Sequence, residues 1–411
     1  MDALATNDDL PATPCKDRRL KPSAPAEAAA GPLLPTVLRS YYFLFYAILG
    51  SYLPCMNLFF EKQLHFSGTQ IGSIFSVRQL LTAAAPPLWG IISDKLRMPR
   101  LLIAVGLAVS GAAMILFSDL RVFWQVMLLM VMFSFFNSPL VPLTDSITLG
   151  YSARRRQGFG RMRAWGSIGF VFISLGLWAV VTSDSRLSLG FWAAASFSFL
   201  ALMLVPLLPA VEVPGRGRVG RRAFAVFAQR DVLVLTVCAL LASMAMMSYY
   251  TFFSNYLRHA GLPQRWIAPT WAVGTLAEIP FVFFADDIVR RLGIRRVFAL
   301  GMGASALRLL VLALGPPMAI VVASQFLHAF TFGAVVVAGL IYINSRCPAD
   351  LRASAQSIFN AGFLGAGGVL GSLVAGWFFD TFDMWTMMLA HAAIAGIGLV
   401  AFVLFFKPRS A

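Results

Sequence analysis

Several ionisable side chains stand inside stretches that are otherwise apolar, and each is a candidate for chemistry. Glu278 lies in WAVGTLAEIPFVFF (271–284), a run of tryptophan, phenylalanine and aliphatic residues. A buried carboxylate is costly when charged, and when neutral it is a titrating group. Arg308 and His328 interrupt the next two apolar stretches in the same way. Each of the three lies about ten or eleven residues from one end of its stretch, or roughly 16 Å at about 1.5 Å per residue. An acid, a permanent cation and an imidazole therefore share one level. An isolated charge at that depth costs about 2.5–3.5 kcal/mol. Pairing Glu278 with Arg308 would offset much of this, and His328 adds a group that titrates near neutrality. Polar residues so placed usually line a water-filled pathway, the alternative being an ion pair that only fixes helix packing.

A second set sits nearer an end of its helices. Asp145 and Arg163 flank the basic loop ARRRQGFGR, close enough for a plain interfacial salt bridge. Pro139 and Pro142 can break the preceding helix and turn Asp145 inward, which favours substrate contact. Arg78 is too deep for easy snorkelling and is a further candidate lining residue. Asn137 and Asn255 are candidate hydrogen-bonding positions, with interhelical packing as the competing role. The aromatic runs YYFLFYAILGSY (41–52) and SYYTFFSNY (248–256) could offer rings to a planar substrate or serve as packing surface. GAGGVLGSLVAG (365–376) reads as close helix packing, since no strand or Lys-Ser/Thr accompanies its glycines.

These residues need a membrane to be buried in, and the composition supplies one. The 411 residues are 59% hydrophobic and 12% charged, with a mean hydropathy of +0.76, against about 25% charged in soluble domains. Twelve stretches are apolar enough and long enough to span, which predicts an all-α membrane protein. The expected organisation is a disordered tail (1–36), a six-helix half (37–209), a basic linker (210–231), a second six-helix half (232–406) and a short tail (407–411). The net charge of +15 concentrates in the tails and in the loops on one side. That pattern sets both termini in the cytoplasm and opposes a nucleic-acid role. The first 35 residues carry no apolar signal-peptide core, and the four cysteines are too dispersed for a disulfide framework or metal site.

The halves repeat. At an offset of 193, Phe59, Phe60, Leu64, Gly68, Pro87 and Asp94 superpose on Phe252, Phe253, Leu257, Gly261, Pro280 and Asp287. Parallel repeats of this size are a transporter architecture. Asp94 and Asp287 then fall at equivalent helix ends beside basic residues, where each carboxylate could pair with a neighbouring helix and lock one face shut.

GIISDKLRMPR (90–100) resembles the loop motif of the major facilitator superfamily, with Gly90, then Asp94, then basic residues. DDIVRRLGIRR (286–296) is a weaker copy without the leading glycine. The segment 137–170 is similar to the phenylpropionate-permease branch and, more distantly, to the lactose:proton symporter. The resemblance implies twelve transmembrane helices in two pseudo-symmetric halves. It also implies that Asp145 and Arg163 contact substrate, and that Glu278, Arg308 and His328 form a proton-coupling group. Thr331 stands where the symporter has a second glutamate, so that proton site is absent or relocated.

The function expected is proton-coupled uptake of a small organic solute across a bacterial inner membrane by a monomer, with no cofactor and a proton as coupling ion. An embedded enzyme would need a motif such as HExxH or GxSxG, and a pump a phosphate loop; the sequence has none of these. A non-transporting receptor and a passive facilitator remain alternatives. The arginines and rings favour an aromatic monocarboxylate, whereas the Asp145/Arg163 pairing suits the hydroxyls of a sugar or nucleoside equally well.

Overall fold

The computed structural model describes residues 33–155, 159–209, 221–348 and 351–407. The N-terminal tail up to residue 32, the first half of the expected linker (210–220) and the last four residues fall outside the described residues. The first half contains α1 (Leu34–Lys62), α2 (Gly68–Leu96), α3 (Pro99–Asp119), α4 (Phe123–Asn137), α5 (Leu140–Arg155), α6 (Phe159–Val180) and α7 (Leu189–Leu204). A short helix, α8 (Arg221–Phe227), follows within the expected linker. The second half contains α9 (Arg230–His259), α10 (Ile267–Phe283), α11 (Ala285–Leu292), α12 (Ile294–Ala313), α13 (Met318–Ser324), α14 (His328–Arg346), α15 (Arg352–Asn360), α16 (Gly368–Thr381) and α17 (Met384–Phe405).

Among the described residues, nine helical segments are long and apolar enough to cross a membrane. The other three long helices of the expected twelve are α2, α6 and α10, which carry Arg78, Arg163 and Glu278. α10 has only 17 residues, and α6 carries Arg161 as well as Arg163.

Local sequence explains the breaks. Pro139 has no N–H to donate, so α4 ends at Asn137 and α5 starts afresh at Leu140. Gln325–Leu327 forms a 3₁₀ turn between α13 and α14, and Ala361–Gly367 is π-helical between α15 and α16. Such departures from α geometry are frequent at functional sites. Ser67 caps α2 in a reciprocal box with Gln70. Asp383 caps α17 by accepting from the Thr386 N–H at 2.6 Å, and these backbone donors hold its carboxyl below the usual carboxylate range.

Polar links between the halves gather at one end of the bundle. Asn57 donates to the Thr251 carbonyl, and Glu61 accepts from Asn255 and meets His259 Nε2 at 2.6 Å. Arg258 pairs with Asp184 at 3.1 Å. Asp380 of α16 accepts from the first two N–H groups of α2, at 2.5 Å from Gly68 and 2.7 Å from Thr69. Towards the other end of α2, a side chain built at Gly90 would meet no atom within 4 Å.

The Asp380 contact gives a first prediction. A carboxylate at a helix N-terminus contributes about 0.3–2 kcal/mol. Asp380→Ala should therefore raise the population open at this end roughly two- to thirty-fold. Spin labels at Arg121 and Arg265 should show a growing long-distance component. An unchanged distance distribution would remove Asp380 from the closure.

Candidate functional site

The site is built on faces of α6 and α10, which pack against each other across the two halves. On α6, Arg163 Nε lies 3.8 Å from Asp145 Oδ2, and its guanidinium lies 5.3 Å from the centre of the Tyr46 ring. Gly166, one turn on, leaves the room this ring needs, because a Cβ there would sit 2.6 Å from it. Tyr42 donates to Asp145 Oδ1 at 2.6 Å and fixes the carboxylate. Asp145 and Arg163 are only partly exposed, at 24% and 38% of their side chains. Tyr42 and Tyr46 of α1 stand beside this pair.

On α10, Gly274 and Glu278 share a face four residues apart. The His328 ring packs against Gly274, where a Cβ would meet it at 3.3 Å. Its Nε2 reaches Glu278 Oε2 at 4.0 Å. On the far side, Arg308 Nη1 contacts His328 Nδ1 at 2.9 Å, and Arg308 Nη2 donates to Gln325 Oε1. The Arg308 guanidinium lies 3.7 Å from the centre of the Tyr249 ring, a cation–π contact that strengthens when desolvated. Tyr249 Oη also donates to Gln325 Oε1 at 2.9 Å.

The two candidate clusters are therefore neighbours. Arg163 is close enough for its charge to act on Glu278 as well as on Asp145. The Asp145–Arg163 pair and the row Glu278, His328, Arg308 thus stand on either side of the packed α6 and α10. The expected direct pairing of Glu278 with Arg308 is replaced by an indirect one, because His328 stands between them.

Other expected positions fall elsewhere. Asn255 joins the polar cluster at the bundle end, accepted by Glu61 and the Asn57 carbonyl, so it does not line this site. Asn137 donates to Ser110 Oγ at 3.3 Å and ties α4 to α3. Arg78 reaches Tyr52 Oη at 3.3 Å, not the Asp145 group. Asp287 pairs with Arg290 on its own helix instead of with a neighbour. The side chain of Asp94 lies outside the described residues.

Tyr42, Tyr46, Tyr249 and Gln325 belong to the site without having been singled out. The tyrosines sit in the aromatic runs of α1 and α9, so the runs were visible but not which rings face a cation. Gln325 gives no such signal, since a neutral amide in a span resembles ordinary helix packing.

The model of the MFS_1 like family matches residues 36–390. A maltose permease of Geobacillus stearothermophilus is 25% identical over 374 residues, covering 90% of this chain and 94% of that protein. A probable 3-phenylpropionic acid transporter of Escherichia coli is 25% identical over 324 residues, covering 77% and 82%. The crystal structure of the nucleoside transporter NupG superposes with a TM-score of 0.82 at 20% identity, covering 92% of this chain and all of that one. A helical bundle with charges buried at its centre and a family match over most of its length lead to one conclusion: the chain belongs to the MFS_1 like family and is a membrane transporter of the major facilitator type.

Proposed function

We propose that the chain is a proton-coupled symporter of a small hydroxyl-rich solute, a nucleoside or a sugar, working by alternating access in a bacterial cytoplasmic membrane. One observation carries the reading: Arg163 of α6 pairs with Asp145 at 3.8 Å, and α6 packs against the helix that carries Glu278. With both carboxylates ionised, the accessible group carries one excess negative charge. Vicinal hydroxyls find acceptors in the carboxylates and a forked donor in the guanidinium. Arg308 is only 3% exposed and sits behind His328 and Gln325, so it offers no open cation. The maltose- and nucleoside-carrying relatives support the same choice.

An aromatic monocarboxylate is the second reading, favoured by the half-buried ring of Tyr46 beside Arg163. It requires Glu278 to be protonated before the substrate anion arrives. The closed end carrying Glu61 and Asp380 faces outward in this proposal, with both termini in the cytoplasm and the monomer as the working unit. A thermal-shift series on purified protein with nucleosides, maltose and 3-phenylpropionate separates the readings. Saturating ligand at about 100 times Kd adds about 2.7 kcal/mol. That stabilisation should appear with a nucleoside or sugar. Stabilisation by the acid alone would overturn the proposal.

A further inference from the structure

The contacts of His328 decide which of its nitrogens carries a proton. A guanidinium has five N–H donors and no acceptor. Arg308 Nη1 lies 2.9 Å from His328 Nδ1, so that nitrogen must present its lone pair. Thr331 Oγ1, at 3.3 Å from Nδ1, asks the same of it when it donates. The remaining ring proton is then on Nε2, which points at Glu278 Oε2 4.0 Å away.

Arg308 is itself held by neutral groups. Gln325 is fully buried, and its amide nitrogen donates to the Val321 carbonyl at 3.1 Å. That fixes the amide so that Oε1 receives Arg308 Nη2 and Tyr249 Oη. The Tyr249 ring covers the guanidinium face. The groups around the imidazole are thus Arg308 from α12, Glu278 from α10, Tyr249 and Tyr250 from α9, and Gln325 and Thr331 from its own span. A second proton on Nδ1 would face a guanidinium donor with no lone pair left to receive it. The pair is nearly dry, at 3% and 8% exposure, so water does not relieve the repulsion.

We infer that Arg308, oriented by Gln325 and Tyr249, is a positioning residue that holds His328 as a neutral imidazole donating from Nε2 towards Glu278, which leaves Glu278 as the group in this half that loads and releases the transported proton. This rests on the symport reading for the meaning of the proton, but not for the state of the ring. It also accounts for Thr331: a second carboxylate beside His328 is not needed if the carboxylate across from Nε2 does the work.

The test is solid-state nitrogen NMR on the full chain, labelled with ¹⁵N-histidine and reconstituted in liposomes. The chain has four histidines, and His328→Gln identifies the signal by its loss. Between about pH 5 and 8, where an ordinary imidazole titrates, His328 should keep an unprotonated Nδ1 and a protonated Nε2. In Gln325→Leu, or in Arg308→Met should the first variant not fold, the same ring should gain its second proton within that range. A doubly protonated or Nδ1–H ring in the parent protein would overturn the inference, as would spectra unchanged in the folded variants. The readout stands whether or not a nucleoside is carried, so its failure is distinct from failure of the substrate assignment.

Discussion

Arg163→Ala should weaken substrate binding, not merely slow transport. Arg163 is the cation beside Asp145, and its Nε lies 3.8 Å from Asp145 Oδ2. Deleting it removes the cation paired with Asp145 and the charge that acts on Glu278, and with them a forked donor. Truncating one member of a buried charge pair costs about 2–5 kcal/mol, and for this partly exposed pair the lower end applies, roughly 30-fold in affinity. Arg163→Lys keeps the charge but loses the planar fork, so it should fall between parent and alanine variant. Isothermal titration on monodisperse protein reads this directly. Parent-like affinity in Arg163→Ala would reduce Arg163 to a packing partner of Asp145 and Tyr46.

Glu278→Gln should separate exchange from accumulation. The replacement keeps the size and hydrogen-bonding capacity of the side chain but cannot ionise. Equal-pool exchange of labelled substrate should persist, while uphill uptake driven by a pH gradient should drop to the no-gradient level. The side chain is 26% exposed, with His328 Nε2 4.0 Å from its carboxylate and the charge of Arg163 acting on it. A conformational change that moves α6 against α10 alters the distance to Arg163, and with it the balance between charged and neutral carboxyl. Gradient-driven accumulation in the variant at the parental level would leave Glu278 as a structural neighbour of His328.

The charged members of this site were legible because charge in an apolar run is expensive and stands out. Glu278, Arg308 and His328 were placed at one level by counting residues alone, and the structure sets them in one row. What the counting could not give was the order of contact. It paired Glu278 with Arg308, whereas the 3₁₀ turn at Gln325–Leu327 turns His328 into the space between them. Neither glycine nor proline marks that turn, so nothing in the pattern announces it. Asn255 carried two readings, ligand contact and interhelical packing, and its contact with Glu61 fits the second. A polar residue among cavity-facing aromatics looks like a ligand contact, yet it lies near the end of α9, where Glu61 of the other half claims it. Contacts between halves depend on packing far apart in sequence, and a single helix pattern carries no record of them. The offset of 193 that relates the halves did point to Gly68, but not to Asp380 as the residue that closes on it.

The central claim is that proton movement and solute movement are coupled through this row of residues. Purified protein in liposomes, given an inside-alkaline pH gradient and an external labelled nucleoside or sugar, tests it most directly. The account predicts accumulation above the external concentration, matched by proton entry and abolished by a protonophore. Equilibration to the external level with no proton entry would contradict it.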